Sequence, residues 1–335
     1  MTRTGIGQSG FLRVKKETTY GTADTTSMTA WPIKSSALVK SMREPILNDN
    51  IIASRLKQIP NLGREVSTFE LPLDIPPTIL GQIFQFFLGA SSDGTVSDST
   101  YTHTWLMPIT GETVGYSFTL QQALGSDLAD TYAGLKIHNV VISGDSSGNV
   151  LITMTGTCEG VDAQDVTRVT SFSYPTAAPY NFSMPSITIN PADGDSFTQL
   201  VNSFEITLNP GLMDDRFKVS GYQQIEPLIG TIPSVMFKCN IDAEKQFVNA
   251  ARAYTAYALT FTMTTSEYAA GTTPFLFALE IPQALLKADT VIENGNDTLP
   301  MDLEFDCGYG GTTTGSGSDS VMAEVRVRDA VAAYA

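Results

Sequence analysis

The chain has 335 residues, of which 42% are hydrophobic and 16% charged, with a formal net charge of −15. This is enough apolar surface for packed cores, which excludes a disordered polyelectrolyte, and the length suits about two domains of ~150 residues. No apolar run reaches the ~18 residues of a membrane helix, and the opening MTRTGIGQSGF lacks the apolar centre of a secretory signal, so no membrane partner and folding in the producing cell's cytoplasm are expected.

The charge is uneven. Residues 1–64 hold ten Lys/Arg against four acids, whereas the remainder holds ten against 31. One basic and one acidic surface would suit head-to-tail self-association. The acidic balance argues against a grip on nucleic acid, which needs clustered Lys/Arg.

In chain order, the first strand signal is VSTFELPLDI (66–75). PPTILGQIFQFFLG (76–89) follows as a helix, with prolines where a first turn tolerates them and a closing Gly89. YSFTLQ (116–121), GLKIHNVVIS (134–143) and NVLITMTGTCEG (149–160) are strands, the last two joined by the turn SGDSSGN. A stretch with three prolines, residues 162–186, reaches a second series of strands: 203–210, 234–241, 257–265, 275–281, 301–308 and 322–329. DAEKQFVNAARAY (242–254) is the second helix, with Asp242 as N-cap. The chain is therefore expected to be mainly β.

The two series repeat. Residues 36–59 align without gaps on 202–225 at an offset of 166, and YSFTL matches YALTF at 141. ITMTGTCEG resembles PMDLEFDCGYG, which sets Cys158 opposite Cys307. Strand, long loop, strand, helix and strands recur, with an insert at 91–113 in the first copy. An internal duplication predicts two tandem β domains with one flanking helix each, at 30–161 and 197–312. An arm (1–29), a linker (162–196) and a Gly/Ser loop with a last strand (313–335) complete the division.

Chemical motifs are few. GIGQSG (5–10) fits a dinucleotide fingerprint but has no strand before it or helix after it. PADGDS (191–196) has too few oxygen ligands for a calcium loop. Cys158, Cys239, Cys307, His103 and His138 have no metal-ligand spacing, and the thiols are expected to be reduced core residues. No catalytic residue, cofactor or metal is assigned. The long loop 43–65 stands out: apolar residues including Ile51 and Ile52 lie among Arg43, Glu44, Arg55, Lys57 and Arg64. Such a loop either folds over its own core or makes a protein–protein contact.

The stretch ETTYGTA at Glu17–Ala23, the S-x-x-L of Ser35–Leu38, the Arg43–Glu44 pair and the hairpin YAGLKIHNVVISGDSSGNVLITMTGTCEG together resemble the tail tube (major tail) proteins of long-tailed bacteriophages. The resemblance implies β-sandwich or barrel domains assembled as stacked rings around a DNA channel in the virion tail, with Glu17–Ala23 part of the arm and entry of the subunit. Single-domain members form six-membered rings, so two tandem domains imply homotrimeric rings with pseudo-sixfold symmetry, the alternative being hexameric rings. Further implied partners are a tape measure, a tail terminator, a distal tail protein, and DNA passing without specific binding. Asp127, Asp130, Asp145, Asp214, Asp215 and Asp242 are the candidate channel-lining acids. The competing classes are a carbohydrate-binding or adhesin-like sandwich, with Trp31, Tyr101 and Trp105 exposed in a groove, and a hydrolase.

Overall fold

A computed structural model describes residues 10–32, 34, 38–46, 60–95, 99–108, 115–123, 128–167, 172–191, 197–199, 201–219, 221–242, 256–287, 300–313 and 320–334. In chain order these form β1 (Phe11–Lys16), β2 (Thr29–Trp31), β3 (Leu38–Ile46), β4 (Asn61–Asp74), α1 (Pro77–Leu88), β5 (Ser92–Thr95), β6 (Tyr101–Pro108), β7 (Phe118–Ala123), β8 (Leu128–Asp145), β9 (Leu151–Thr157) and β10 (Gly160–Thr167). They continue as β11 (Pro185–Pro191), β12 (Phe197–Gln199), β13 (Val201–Asn209), β14 (Ser234–Asp242), β15 (Ala256–Ala270), β16 (Thr273–Leu286), β17 (Pro300–Tyr309) and β18 (Val321–Asp329). All named pairings are antiparallel.

The backbone of the fold is one run of paired strands, β3–β4–β9–β8–β13–β14–β17. Residues opposite one another across a strand pair share a face. Leu73, Ile152, Ile142, Ile206, Phe237 and Phe305 stand opposite in succession, and all are essentially inaccessible to solvent. The row crosses from the first half of the chain to the second at β8–β13, so the two halves share one hydrophobic core.

α1 lies inside this core. Its Ile79, Leu80, Ile83, Phe84, Phe86 and Phe87 are all buried, as expected of a helix apolar around most of its surface. Phe86 stacks on Phe118 at 4.7 Å and Phe84 on Phe277 at 5.6 Å, so the helix touches both halves. It ends as expected at Gly89, whose φ is 92° and whose N–H donates to the Gln85 carbonyl. The second expected helix lies outside the described residues from 243 on.

The halves share one pairing order. In the first, β3–β4–β9–β8–β7 are neighbours; in the second, β13–β14–β17–β16–β15. The hairpin β1–β2 joins through β1 to β7, as β11–β12 joins through β11 to β15. β10 follows β9 along β8, as β18 follows β17 along β16. The sequence alignment needs one correction. At an offset of 166, buried Val39 would match exposed Glu205. The cross-strand rows Val39–Phe69–Gly156–Ile137 and Ile206–Phe237–Phe305–Leu286 instead match Val39 to Ile206. A slip of one residue reverses the face of a strand, so burial fixes a register that the letters left open.

Several stretches carry more structure than the sequence indicated. The expected arm contains β1, with Phe11, Leu12 and Val14 fully buried. The expected linker contains β10 and β11. The loop 43–65 is shorter, because β3 and β4 stay paired out to Ile46 and Asn61. The insert forms β5 and β6, and β6 pairs with the final strand β18 from Tyr101–Asp329 to Pro108–Val321. The first half's insert thus fastens the chain's C-terminal strand.

Truncating Ile206 to Ala should cost about 2–5 kcal/mol, as other buried aliphatic truncations do. Because the core is shared, chemical denaturation of Ile206→Ala followed by tryptophan fluorescence should give one transition, although both tryptophans lie in the first half.

Candidate assembly surfaces

The ETTYGTA stretch is an anchor. Glu17 is buried, and its carboxylate accepts hydrogen bonds from the N–H of Gly134 (2.8 Å), the hydroxyl of Thr119 (3.0 Å) and the N–H of Gly21 (3.1 Å). Burial raises its pKa, and these donors offset only part of that. Gly21 has φ 72°, a left-handed conformation that residues with a β-carbon rarely adopt, which favours glycine there. The motif therefore ties the end of β1 to β7 and β8.

At the far end of β3–β4, Met42, Ile46 and Leu62 are exposed, with Leu62 at 71%. The long connection between β13 and β14, residues 210–233, folds back beside them. Tyr222 accepts the N–H of Glu65 through its carbonyl (2.6 Å), and its ring lies 3.9 Å from the Arg43 guanidinium. Arg64 binds Glu44 at 2.7 Å and Asp215 at 2.5 Å and lies over Phe217. Lys136, almost fully buried, binds Glu226 at 3.0 Å and the Gly115 carbonyl. Val219 (98% exposed), Ile232 and Met213 of this connection are also exposed apolar residues.

This places the predicted contact residues in two groups. Arg43, Glu44 and Arg64 sit on the paired strands β3 and β4, with Arg43 and Arg64 engaged with the chain's own second half and Glu44 paired with Arg64. Ile51, Ile52, Arg55 and Lys57 lie outside the described residues, in the segment that the exposed Ile46 and Leu62 flank.

The face of the long sheet opposite the core row is polar. Asp74, Leu151, Ser143, Glu205, Lys238 and Glu304 stand opposite in succession, and Asp145, Ser203, Asn240 and Asp302 form the next row. All but Asp74 line a groove of about 870 Å³, which Lys34 and Lys287 also line; Lys238 and Lys287 pair with Glu304, and Lys34 lies 2.9 Å from Asp74. Of the predicted channel acids, Asp145 belongs to this face, and Asp242 closes β14 opposite Pro300. Asp214 and Asp215 are in the folded-back connection, Asp130 is on β8 opposite Gln122, and Asp127 lies outside the described residues. Sequence reasoning missed Glu205, Asp302 and Glu304. Their alternation with buried neighbours was visible, but which strands adjoin was not.

Trp31 and Trp105 are fully buried, with indole N–H groups donating to Gln82 and to the Gly89 carbonyl, which overturns their expected exposure in a groove. Cys158, Cys239 and Cys307 are free and buried, as expected, and burial raises the first two thiols to about 12. No described helix is long and apolar enough to cross a membrane, and no described group of three or more His, Cys, Asp or Glu could hold a metal.

His103 is a second buried polar centre. Its Nδ1 lies 2.8 Å from Asp93, and its Nε2 lies 2.8 Å from the Val331 carbonyl and 3.4 Å from Asp329. Burial pulls its pKa down, but Asp329 and Asp93 outweigh this and hold it at about 9. Tyr334 hydrogen-bonds Asp329, and its carbonyl accepts from Gln85 of α1 at 2.7 Å. The cationic imidazole thus fastens the C-terminal segment. A pKa raised above its unfolded value of ~6.5 gives stability that is complete below pH ~6.5 and is lost as pH rises through 9. Unfolding free energy from thermal melts should fall over that interval by about 3 kcal/mol, and His103→Gln should flatten the profile.

A β-rich chain with a continuous polar sheet face and exposed apolar side chains is the build of a self-associating structural subunit. Residues 7–328 match the family model described as phage tail tube protein, and the chain belongs to that family. Membership gives it a structural role in the virion tail, in association with itself and with other tail proteins. No curated protein matches the sequence.

Proposed function

We propose that the chain forms homotrimeric rings of pseudo-sixfold symmetry that stack into the tail tube and conduct DNA during ejection. The reading is carried by the shared pairing order of the two halves within one tail tube family match. Each half then counts as one tube unit, and three chains supply six. Purified protein should assemble into rings or tubes in negative stain; dispersed monomers under all assembly conditions would contradict this.

The polar sheet face is the proposed channel wall. Glu205, Asp302 and Glu304, with Asp145 and Asp242, would repel phosphates and leave DNA without the counterion-releasing grip that Lys/Arg create. Only charges within a Debye length of ~8 Å would be felt, so acids elsewhere are irrelevant to passage. Paired Glu205→Lys and Asp302→Lys changes should leave tubes intact and slow DNA ejection, more at low salt than at high. Unchanged ejection at low salt would remove this face from the channel.

Stacking is assigned to segment 43–65 with its apolar Ile51 and Ile52 and basic Arg55 and Lys57. Ile51→Asp with Ile52→Asp would bury uncompensated charge between rings, at a cost of several kcal/mol per subunit. Folded subunits without tubes are expected; normal tubes would place the ring-to-ring contact elsewhere. The end partners are a tape measure, a terminator and a distal tail protein, with synthesis in the host cytoplasm.

A further inference from the structure

The segment after β18, residues 330–334, runs from Asp329 to α1. The Val331 N–H donates to the Asp329 carboxylate at 2.8 Å, which turns the chain as strand pairing ends. Tyr334 then lies against the helix at Gly81. A β-carbon built there would stand 2.0 Å from the phenolic oxygen and within 2.5 Å of two ring carbons. The ring's other neighbours are His103, with centroids 4.8 Å apart, and Trp105, at 6.2 Å. Glycine inside a helix is destabilising relative to alanine, and Gly81 is the only glycine within α1. It leaves a gap that the Tyr334 ring fills.

The remaining contacts of the segment are polar. The Gln85 amide, one turn along α1 from Gly81, donates to the Tyr334 carbonyl, and the Tyr334 hydroxyl donates to Asp329. His103 Nε2 meets the Val331 carbonyl. Ala332 and Ala333 are exposed. β18 itself is held on both sides, by β6 and by β16, so it stays in the sheet whether or not the segment is seated. We propose that residues 330–334 are a detachable latch, in which Tyr334 is the plug, the gap at Gly81 is the socket and protonated His103 is the clasp. Open, the latch bares an apolar gap of aromatic size between α1 and Trp105.

The geometry explains why the clasp must be a cation. Both ring nitrogens of His103 face acceptors: the Asp93 carboxylate at Nδ1, and the Val331 carbonyl with the Asp329 carboxylate at Nε2. A neutral imidazole carries one N–H and can serve only one side; imidazolium serves both. Besides Asp93 and Asp329, the Tyr334 phenol adjoins the imidazole, and Tyr180 lies near Asp329. Arg328 is engaged elsewhere, its Nε donating to the Pro274 carbonyl. The clasp is therefore complete below pH ~6.5 and is lost as pH rises through about 9.

The test is fluorescence anisotropy of the full chain carrying a thiol-reactive dye at Ala333→Cys; the three native thiols are buried, so the dye enters at 333 alone. A seated segment turns with the whole protein, whereas a released one moves on the nanosecond scale and lowers the anisotropy about two-fold. The anisotropy should be high at pH 7 and fall through pH 9, with the far-UV circular dichroism still that of the folded chain. Added to the labelled chain, Gly81→Ala favours the helix but blocks the socket, and should free the dye at pH 7. Tyr334→Ala should free it without touching α1. A dye as immobile in Gly81→Ala as in the labelled parent would overturn the socket, and an anisotropy flat from pH 7 to 10 would overturn the clasp. Should a substitution unfold the chain, the pH titration of the labelled parent decides alone.

Discussion

The row Leu73–Ile152–Ile142–Ile206–Phe237–Phe305 is the constraint on which the rest of the architecture depends. Each side chain is held opposite its neighbour by backbone pairing, and together they continue the core across the junction β8–β13. At roughly 25 cal/mol per Å² of apolar surface removed from water, such burial is the dominant favourable term in folding. Because the row belongs to neither half alone, it fixes their relative register. That register in turn aligns the polar side chains of the opposite face in successive rows, so the core row and the polar face are two consequences of one pleat.

Buried polar groups tie the ends of the chain to this frame. Glu17 holds the turn after β1 through three donors, and His103 holds the segment after β18 through two carboxylates and a carbonyl. In both cases a buried polar group is tolerated because its hydrogen bonds are satisfied. The first-half insert supplies His103 and Asp93, whereas the second half supplies Asp329. The final strand therefore depends on residues more than two hundred positions earlier, a long-range closure of the kind that slows folding but makes the folded chain cooperative.

Much of this was legible in the residues. Alternation of apolar and polar side chains located the main strands, and the prolines and Gly89 bounded α1. The recurrence of strands accords with the shared pairing order, while the second expected helix lies outside the described residues. The one-residue error at Val39 had a physical origin: the letters of 36–59 and 202–225 align, but only cross-strand neighbours decide which face a strand presents. β1, β5, β6 and β11 were missed for a related reason. They are short or lie in turn-rich sequence, and tertiary pairing rather than propensity makes them strands. The tryptophans misled because large aromatics suit grooves and cores equally well. Arg43 and Arg64 were singled out by their setting among apolar residues, but the partners Tyr222, Asp215 and Phe217 come from a connection distant in sequence.

The shared pairing order of the two halves joins these observations, since it is the ground for counting each half as one unit of the proposed ring. Its most direct measurement is the symmetry of the assembled tube by electron cryomicroscopy, with chains counted per ring. The account predicts three chains arranged as six similar units. A ring of six chains, or one whose two halves occupy unlike radii, would contradict it.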